Sequence, residues 1–402
     1  MKNNSDKLSR LPNEYTFGIE LEFTGGLTSE ETQICIEQLI KEGKIREGWQ
    51  VHYDSSVVDE NGKGAEIVSP VLRDDEQTQK EIQIITEFIK KAGGKMDEKV
   101  GGHIHFGVQC LGNNIEDIKN FFKLYTIFEP LLYKISTGDL NYVRKGCREY
   151  AKPIQKRLTK VIDGNINSLS DLMIRLAANV GANPTHYGEN RYYGLNIQKI
   201  IEAIRKMPEN ENMEEFLEKM FKGEPIYDSE GNKLSPTIEM RFRNGSSDAD
   251  EILSGIRMCG QIFVAAKDKN LEDNRTIKSL YRKVKNRPTY VFDKVLNANR
   301  TDPNYSDCKD DDEILGKKFK ESPYGNGEID RNIFKVFLKT LYPDIEDIEI
   351  EEIIDSYVEG LQPTEYKSTA KEELQNLRAE LISVLTSTNT VEEQPRVLSL
   401  AA

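Results

Sequence analysis

Three stretches of this 402-residue chain alternate residue by residue between apolar and polar side chains: YTFGIELEF from Tyr15, GGHIHFG from Gly101 and TIEMRFRNG from Thr237. A period of two fits a strand with one buried face and excludes a helix over the same residues. Phe17, Ile19, Leu21 and Phe23 share the apolar face of the first, and Ile238, Met240 and Phe242 that of the third. The opposite faces are unlike an ordinary wetted sheet, which would carry Lys, Thr and Ser. They present Glu20 and Glu22, then His103 and His105, then Glu239, Arg241 and Arg243. A fourth segment, VHYDSSVVDENGKGAEIVSP, contributes Asp54 and, past a turn expected at Asn61-Gly62, Glu66.

Helical periodicity fills the intervals. Thr28 and Glu31 form a capping box that opens a helix to about Glu42. The spacing of Ile82, Ile85, Ile89 and Ala92 predicts a helix from Asp74 that Gly93-Gly94 stops. Asn114 to Ser136 is apolar on two sides and should be deeply buried. Further helices are expected over Leu169 to Val180, Ile200 to Lys222 and Asp250 to Lys267, with a short strand in RYYGLNIQ, Arg191 to Gln198. Asp302 to Gly327 is acidic and turn-rich, and Asn332 to Gly360 and Thr369 to Thr386 read as helices. The expectation is an α+β chain in three parts: a sheet-bearing domain over 1–300, a linker or loop over 301–327, and a helical region over 328–402.

The net charge of −13 argues against nucleic acid as a main partner, and the basic run Arg282 to Arg287 reads as a solvated helix face. No apolar run approaches the ~18 residues of a membrane span. The polar start and five cysteines without a CxxC pair point to a reducing cytoplasm.

The polar strand faces indicate the chemistry. Successive residues on one face lie ~7 Å apart, so Glu20 and Glu22 suit neighbouring cations better than a shared one. Carboxylates with an imidazole favour hard cations such as Mg²⁺ or Mn²⁺, and guanidiniums beside them suit a phosphoryl group in transfer. There is no GxxxxGK[ST] loop, so a nucleotide would be held by metals and basic side chains. Gly101 and Gly107 would let a ligand approach the backbone closely. The same residues leave other readings open: a zinc hydrolase built on the His-x-His pair and the acidic cluster, a guanidino kinase, or a degenerate non-enzymatic binding or regulatory protein.

In order, FGIELEF, DSS with GAEIVSP, GGHIHFG, RYYGLNIQ and TIEMRFRNG resemble the glutamine synthetase-like amidoligases, relatives of glutamine synthetase and glutamate-cysteine ligase. The resemblance spans about residues 15 to 245. It implies a curved, mainly antiparallel sheet forming an active-site funnel, helices on its outer face, bound ATP and two or more Mg²⁺ or Mn²⁺ ions. It further implies that Glu20, His103 and Glu239 hold one cation and Glu22 with Glu66 another, with Asp54 contributing. By the same likeness His105 faces the ATP phosphates, Arg241 stabilises the phosphoryl group, and Arg243 or Arg191 meets a substrate carboxylate. Asn196 would contact nucleotide or substrate. A second arginine motif of the glutamine synthetase kind is not matched. The implied activity is amide-bond formation through an acyl phosphate, on an amino acid, peptide or protein substrate.

Overall fold

The alternating segments become neighbours in one antiparallel sheet. A computed structural model describes residues 5–180, 192–286, 322–325 and 329–360, and in it β1 (Phe17–Thr24), β2 (Gln50–His52), β3 (Gly64–Val68), β4 (Gly101–Gly107), β5 (Leu195–Asn196) and β8 (Thr237–Asn244) are ordered β2-β3-β1-β4-β8-β5. A two-stranded hairpin, β6 (Ile226–Tyr227) and β7 (Lys233–Leu234), stands apart. β1 pairs with β3 on one side and β4 on the other, so segments 80 residues apart in sequence share one surface.

The helices start where local chemistry says they should. Thr28 and Glu31 complete the capping box of α1 (Ser29–Lys41), and the Asp75 and Asn114 side chains cap α2 (Glu76–Lys91) and α3 (Ile115–Ile135). Gly93, at φ +81°, turns the chain out of α2. The chain then forms α4 (Cys147–Tyr150), α5 (Gln155–Ile162) and α6 (Leu169–Val180). The helix expected from Ile200 to Lys222 is two, α7 (Gln198–Arg205) and α8 (Met213–Lys222), separated around Pro208. Then come α9 (Ala249–Ala265) and α10 (Arg275–Asn286), whose Arg282, Lys283 and Lys285 are solvated as expected. Past Ser322–Gly325, Pro343 divides α11 (Arg331–Leu341) from α12 (Asp347–Gly360). The strand expected over Arg191 to Gln198 is reduced to Leu195–Asn196, and Arg191, the helix at Thr369 to Thr386 and most of the acidic segment lie outside the described residues.

The apolar face of the sheet packs on α3 and α9. Phe106 lies 4.9 Å from Phe263, and Phe242 stacks on Tyr133 at 5.4 Å, ring centre to ring centre. Each such fully buried side chain contributes roughly 1.5–3 kcal/mol. The same core continues through Phe128 to Phe337, at 5.0 Å, so α11 shares it. The other face of the sheet therefore holds the polar residues, backed by a rigid layer. No helix among the described residues is long and apolar enough to cross a membrane.

Candidate metal and ligand site

Strand register decides which polar side chains meet. Glu20 stands directly opposite His103, Glu22 opposite Glu66, and His105 opposite both Gly18 and Glu239 on its two flanks. Directly paired residues share a face, with Cβ atoms roughly 5 Å apart. Glu20, Glu22, Glu66, His103, His105 and Glu239 thus gather from β1, β3, β4 and β8 onto one surface.

Within it Glu20 accepts hydrogen bonds from His103 Nδ1 at 2.6 Å and His105 Nε2 at 2.8 Å. His103 Nε2 lies 3.7 Å from Glu22, and its Nδ1 lies 3.6 Å from Glu239. The ligand atoms fall into two sets whose members all lie within 4.8 Å of one another: Glu20, His103, Glu239 and Glu22, Glu66, His103. The resemblance had placed Glu20, His103 and Glu239 about one cation and Glu22 with Glu66 about another; in the structure His103 also stands beside the second pair. A neutral imidazole has one lone pair, so His103 can serve only one set at a time. Asp54 accepts from Ser56 N and stands near enough to act electrostatically on Glu66.

Packing so many carboxyls together has titration consequences. Burial, then the charges of Glu20 and Glu22, push Glu66 up to about 9. Burial opposes ionisation of Glu20 too, yet the hydrogen bonds and charge of His103 and His105 override it and hold that carboxyl well below its usual range. For His105 burial again opposes the charged form, and the hydrogen bond to Glu20 with the charge of Glu239 outweighs it, raising its pKa. Glu20 and Glu66 are thus pushed in opposite directions within one cluster, as happens when like charges are confined together.

One sequence expectation is corrected here. Between the pairs Gly102–Arg243 and Ile104–Met240 one residue of β4 faces two of β8, a β-bulge at Arg241 and Phe242. Arg241 stays on the polar face, bonded to Glu239 and, at 3.3 Å, to the Tyr150 carbonyl. Arg243 is turned to the helix side, where it donates to the Glu251 carbonyl at 3.2 Å and occupies the space over Gly255 of α9. It braces sheet against helix and does not line the cluster. Asn196 is near the cluster but already committed: its amide donates to Glu239 at 2.6 Å and its oxygen accepts from Gln198 N at 2.8 Å. Its amide therefore fixes the orientation of the Glu239 carboxyl group.

The glycines also differ from expectation. The space beside Gly107 is taken by the Gln109 side chain, and that beside Gly101 by Arg144 and His103. Arg144, in a loop with no periodicity to mark it, is the residue that reading the sequence missed. At the other end of the cluster a cavity of about 480 Å³ opens beside Glu20 and His105. Val71, Met220, Ile226 and Leu234 give it apolar walls, and Lys233 a cation.

Four carboxyl groups, two imidazoles and an arginine thus face one space. Residues 13–205 match the model of a family described as "putative amidoligase enzyme", a likeness that indicates a ligase forming amide bonds. The match takes in Glu20, Glu22, Glu66, His103 and His105; Glu239 and Arg241 follow it in sequence and join it through β8. No curated protein matches the chain.

Proposed function

We propose that this chain is an ATP-dependent carboxylate–amine ligase, built on a glutamine synthetase-like sheet, that activates a carboxylate as an acyl phosphate. The observation that carries this reading is the convergence of Glu20, Glu22, Glu66, His103 and Glu239 on one face, with Arg241 beside them. Each ligand set contains one imidazole and two carboxylates, an oxygen-rich choice that suits Mg²⁺ or Mn²⁺ better than zinc. The raised pKa of Glu66 fits the same assignment, because a carboxyl crowded by like charges gains most from a cation.

In this reading Glu20, Glu239 and His103 hold one divalent cation, and Glu22 with Glu66 another, Asp54 adding negative charge behind them. Such ions supply charge neutralisation for the phosphate tail. The apolar cavity beside Glu20 and His105 takes the nucleoside end, with Lys233 near its phosphates. His105 contacts the phosphates, and Arg241 exchanges Glu239 for the phosphoryl oxygens as charge develops there. The γ-phosphoryl passes from ATP to a carboxylate oxygen and ADP leaves. An amine then attacks the acyl carbon, the bond to the phosphate oxygen breaks, and phosphate departs as the amine loses its proton. The substrate would be an amino acid, a peptide or a protein terminus.

The test is ADP release dependent on a carboxylate, with hydroxylamine as the amine so that the acyl phosphate is trapped as a hydroxamate. Hydroxamate that requires ATP and Mg²⁺ supports the reading. Absence of both nucleotide and Mg²⁺ binding in calorimetry would end it.

A further inference from the structure

Arg144 reaches the cluster from the loop between α3 and α4, and Asn244 at the end of β8 fixes that loop. The Asn244 oxygen accepts from Arg144 N at 3.2 Å, while its amide donates to the Thr137 and Tyr142 carbonyls. From there the Arg144 side chain crosses Gly101. A Cβ on Gly101 would fall 2.7 Å from Arg144 Nη2 and 2.8 Å from His103 Nε2, so guanidinium and imidazole lie side by side above a residue that has no side chain. Gly101 has the same strand parity as His103 and His105, which puts this contact on the face that carries the carboxylates.

The surroundings of Arg144 are unusual for a buried cation. It is 3 % exposed, its Nη atoms donate to the Lys99 carbonyl at 3.2 Å and the Arg241 carbonyl at 3.4 Å, and its Nε has no partner. Among the described residues no carboxylate is paired with it, whereas buried Arg257 is held by both oxygens of Asp74. An uncompensated buried guanidinium is strongly destabilising unless an anion joins it. Cations bound to the carboxylates would neutralise the negative charge of the cluster, so an incoming oxyanion would serve Arg144 most when the site is loaded. Glu22, His103 and Glu239 are each 5 % exposed, so the enclosure at Arg144 is close to that at the proposed ligand residues.

Position selects which oxyanion. The cavity adjoins His105, and Gly101 lies four residues farther along β4, roughly 13 Å at ~3.3 Å per residue. Resting on the ligase reading, we infer that Arg144 binds the carboxylate of the acceptor substrate, at the end of the site opposite the nucleoside. Its planar fork suits the two oxygens of a carboxylate. It takes the task that Arg243, turned into the helix layer, cannot perform.

The experiment is calorimetry on the full chain loaded with Mn²⁺ and AMP-PNP, titrated with acetate, glutarate, glutamate and a tripeptide. At least one of these carboxylates should bind the wild type. Arg144→Gln should weaken it about tenfold or more, and Arg144→Lys several-fold, with AMP-PNP and Mn²⁺ affinities within about twofold of wild type. Unchanged Mn²⁺ and nucleotide binding also reports that the variant is folded; if Arg144→Gln does not fold, Arg144→Lys decides. No carboxylate binding by loaded wild type, or equal carboxylate affinity in the variants, overturns the inference. So does a loss seen with AMP-PNP but not ADP while carboxylate affinity holds, which would assign Arg144 to the γ-phosphate. Failure of wild type to bind AMP-PNP with Mn²⁺ would instead remove the ligase reading itself.

Discussion

Two buried charge centres lie on opposite sides of the sheet and are built on opposite rules. On the helix side Arg257 of α9 meets Asp74 through two hydrogen bonds of 2.8 and 2.9 Å, and Leu11 N adds a third donor to the carboxylate. Every charge there has its opposite. On the other side Glu20, Glu22, Glu66 and Glu239 crowd around two imidazoles, and burial, then the charges of Glu20 and Glu22, push Glu66 up to about 9. A fold has no stability reason to accumulate like charges, which is the physical argument behind the proposal that the second centre receives cations. The contrast separates a brace from a site without reference to any family.

The comparison can be broken from either side. Asp74→Ala should have the largest effect, a loss of about 3–5 kcal/mol in denaturant unfolding, because Arg257 stays buried without a partner. Cation affinity should not change. Glu251, beside Arg243 in the helix layer, is raised to about 7 by burial first, with Asp139 and Asp248 adding to it against Ser246 and Arg243. Its folded pKa exceeds the ordinary 4.5, so the stability it contributes is complete below about pH 4.5 and is lost as pH rises through 7. That slope, worth about 3 kcal/mol from a shift of this size, should vanish in Glu251→Gln when unfolding is followed across pH. On the site side, His103→Ala should reduce Mn²⁺ affinity by about a hundredfold, with little change in melting temperature. Asn196→Ala, which frees Glu239 from its orienting amide, should cost about tenfold in Mn²⁺ affinity and less in stability than Asp74→Ala.

What could be read from the sequence was whatever local periodicity encodes. Strand parity placed Glu20, Glu22, His103, His105, Glu239 and Arg241 on one face, and the capping box of Thr28 and Glu31 located the start of α1. Parity fails where a strand takes in an extra residue. The bulge at Arg241 and Phe242 leaves no mark in TIEMRFRNG, and it alone sends Arg243 to the wrong side for a ligand. Arg144 was beyond any local rule, since its place follows from Asn244, a hundred residues away, fixing its loop. Gly101 held a clue on the page, a missing side chain on the working face, but the sequence could not say whether ligand or protein fills the gap. Asn196 stood in a motif, yet only the pairing of β5 with β8 shows that its amide is bonded to Glu239.

The account rests on the carboxylate cluster being a divalent-cation site. Electron paramagnetic resonance of Mn²⁺ titrated into the purified chain, wild type beside the double variant Glu22→Gln, Glu66→Gln, addresses it most directly. Bound Mn²⁺ in the wild type, with at least one ion lost in the variant, is the predicted result. Mn²⁺ that stays entirely free, or binds equally well to both proteins, would contradict it.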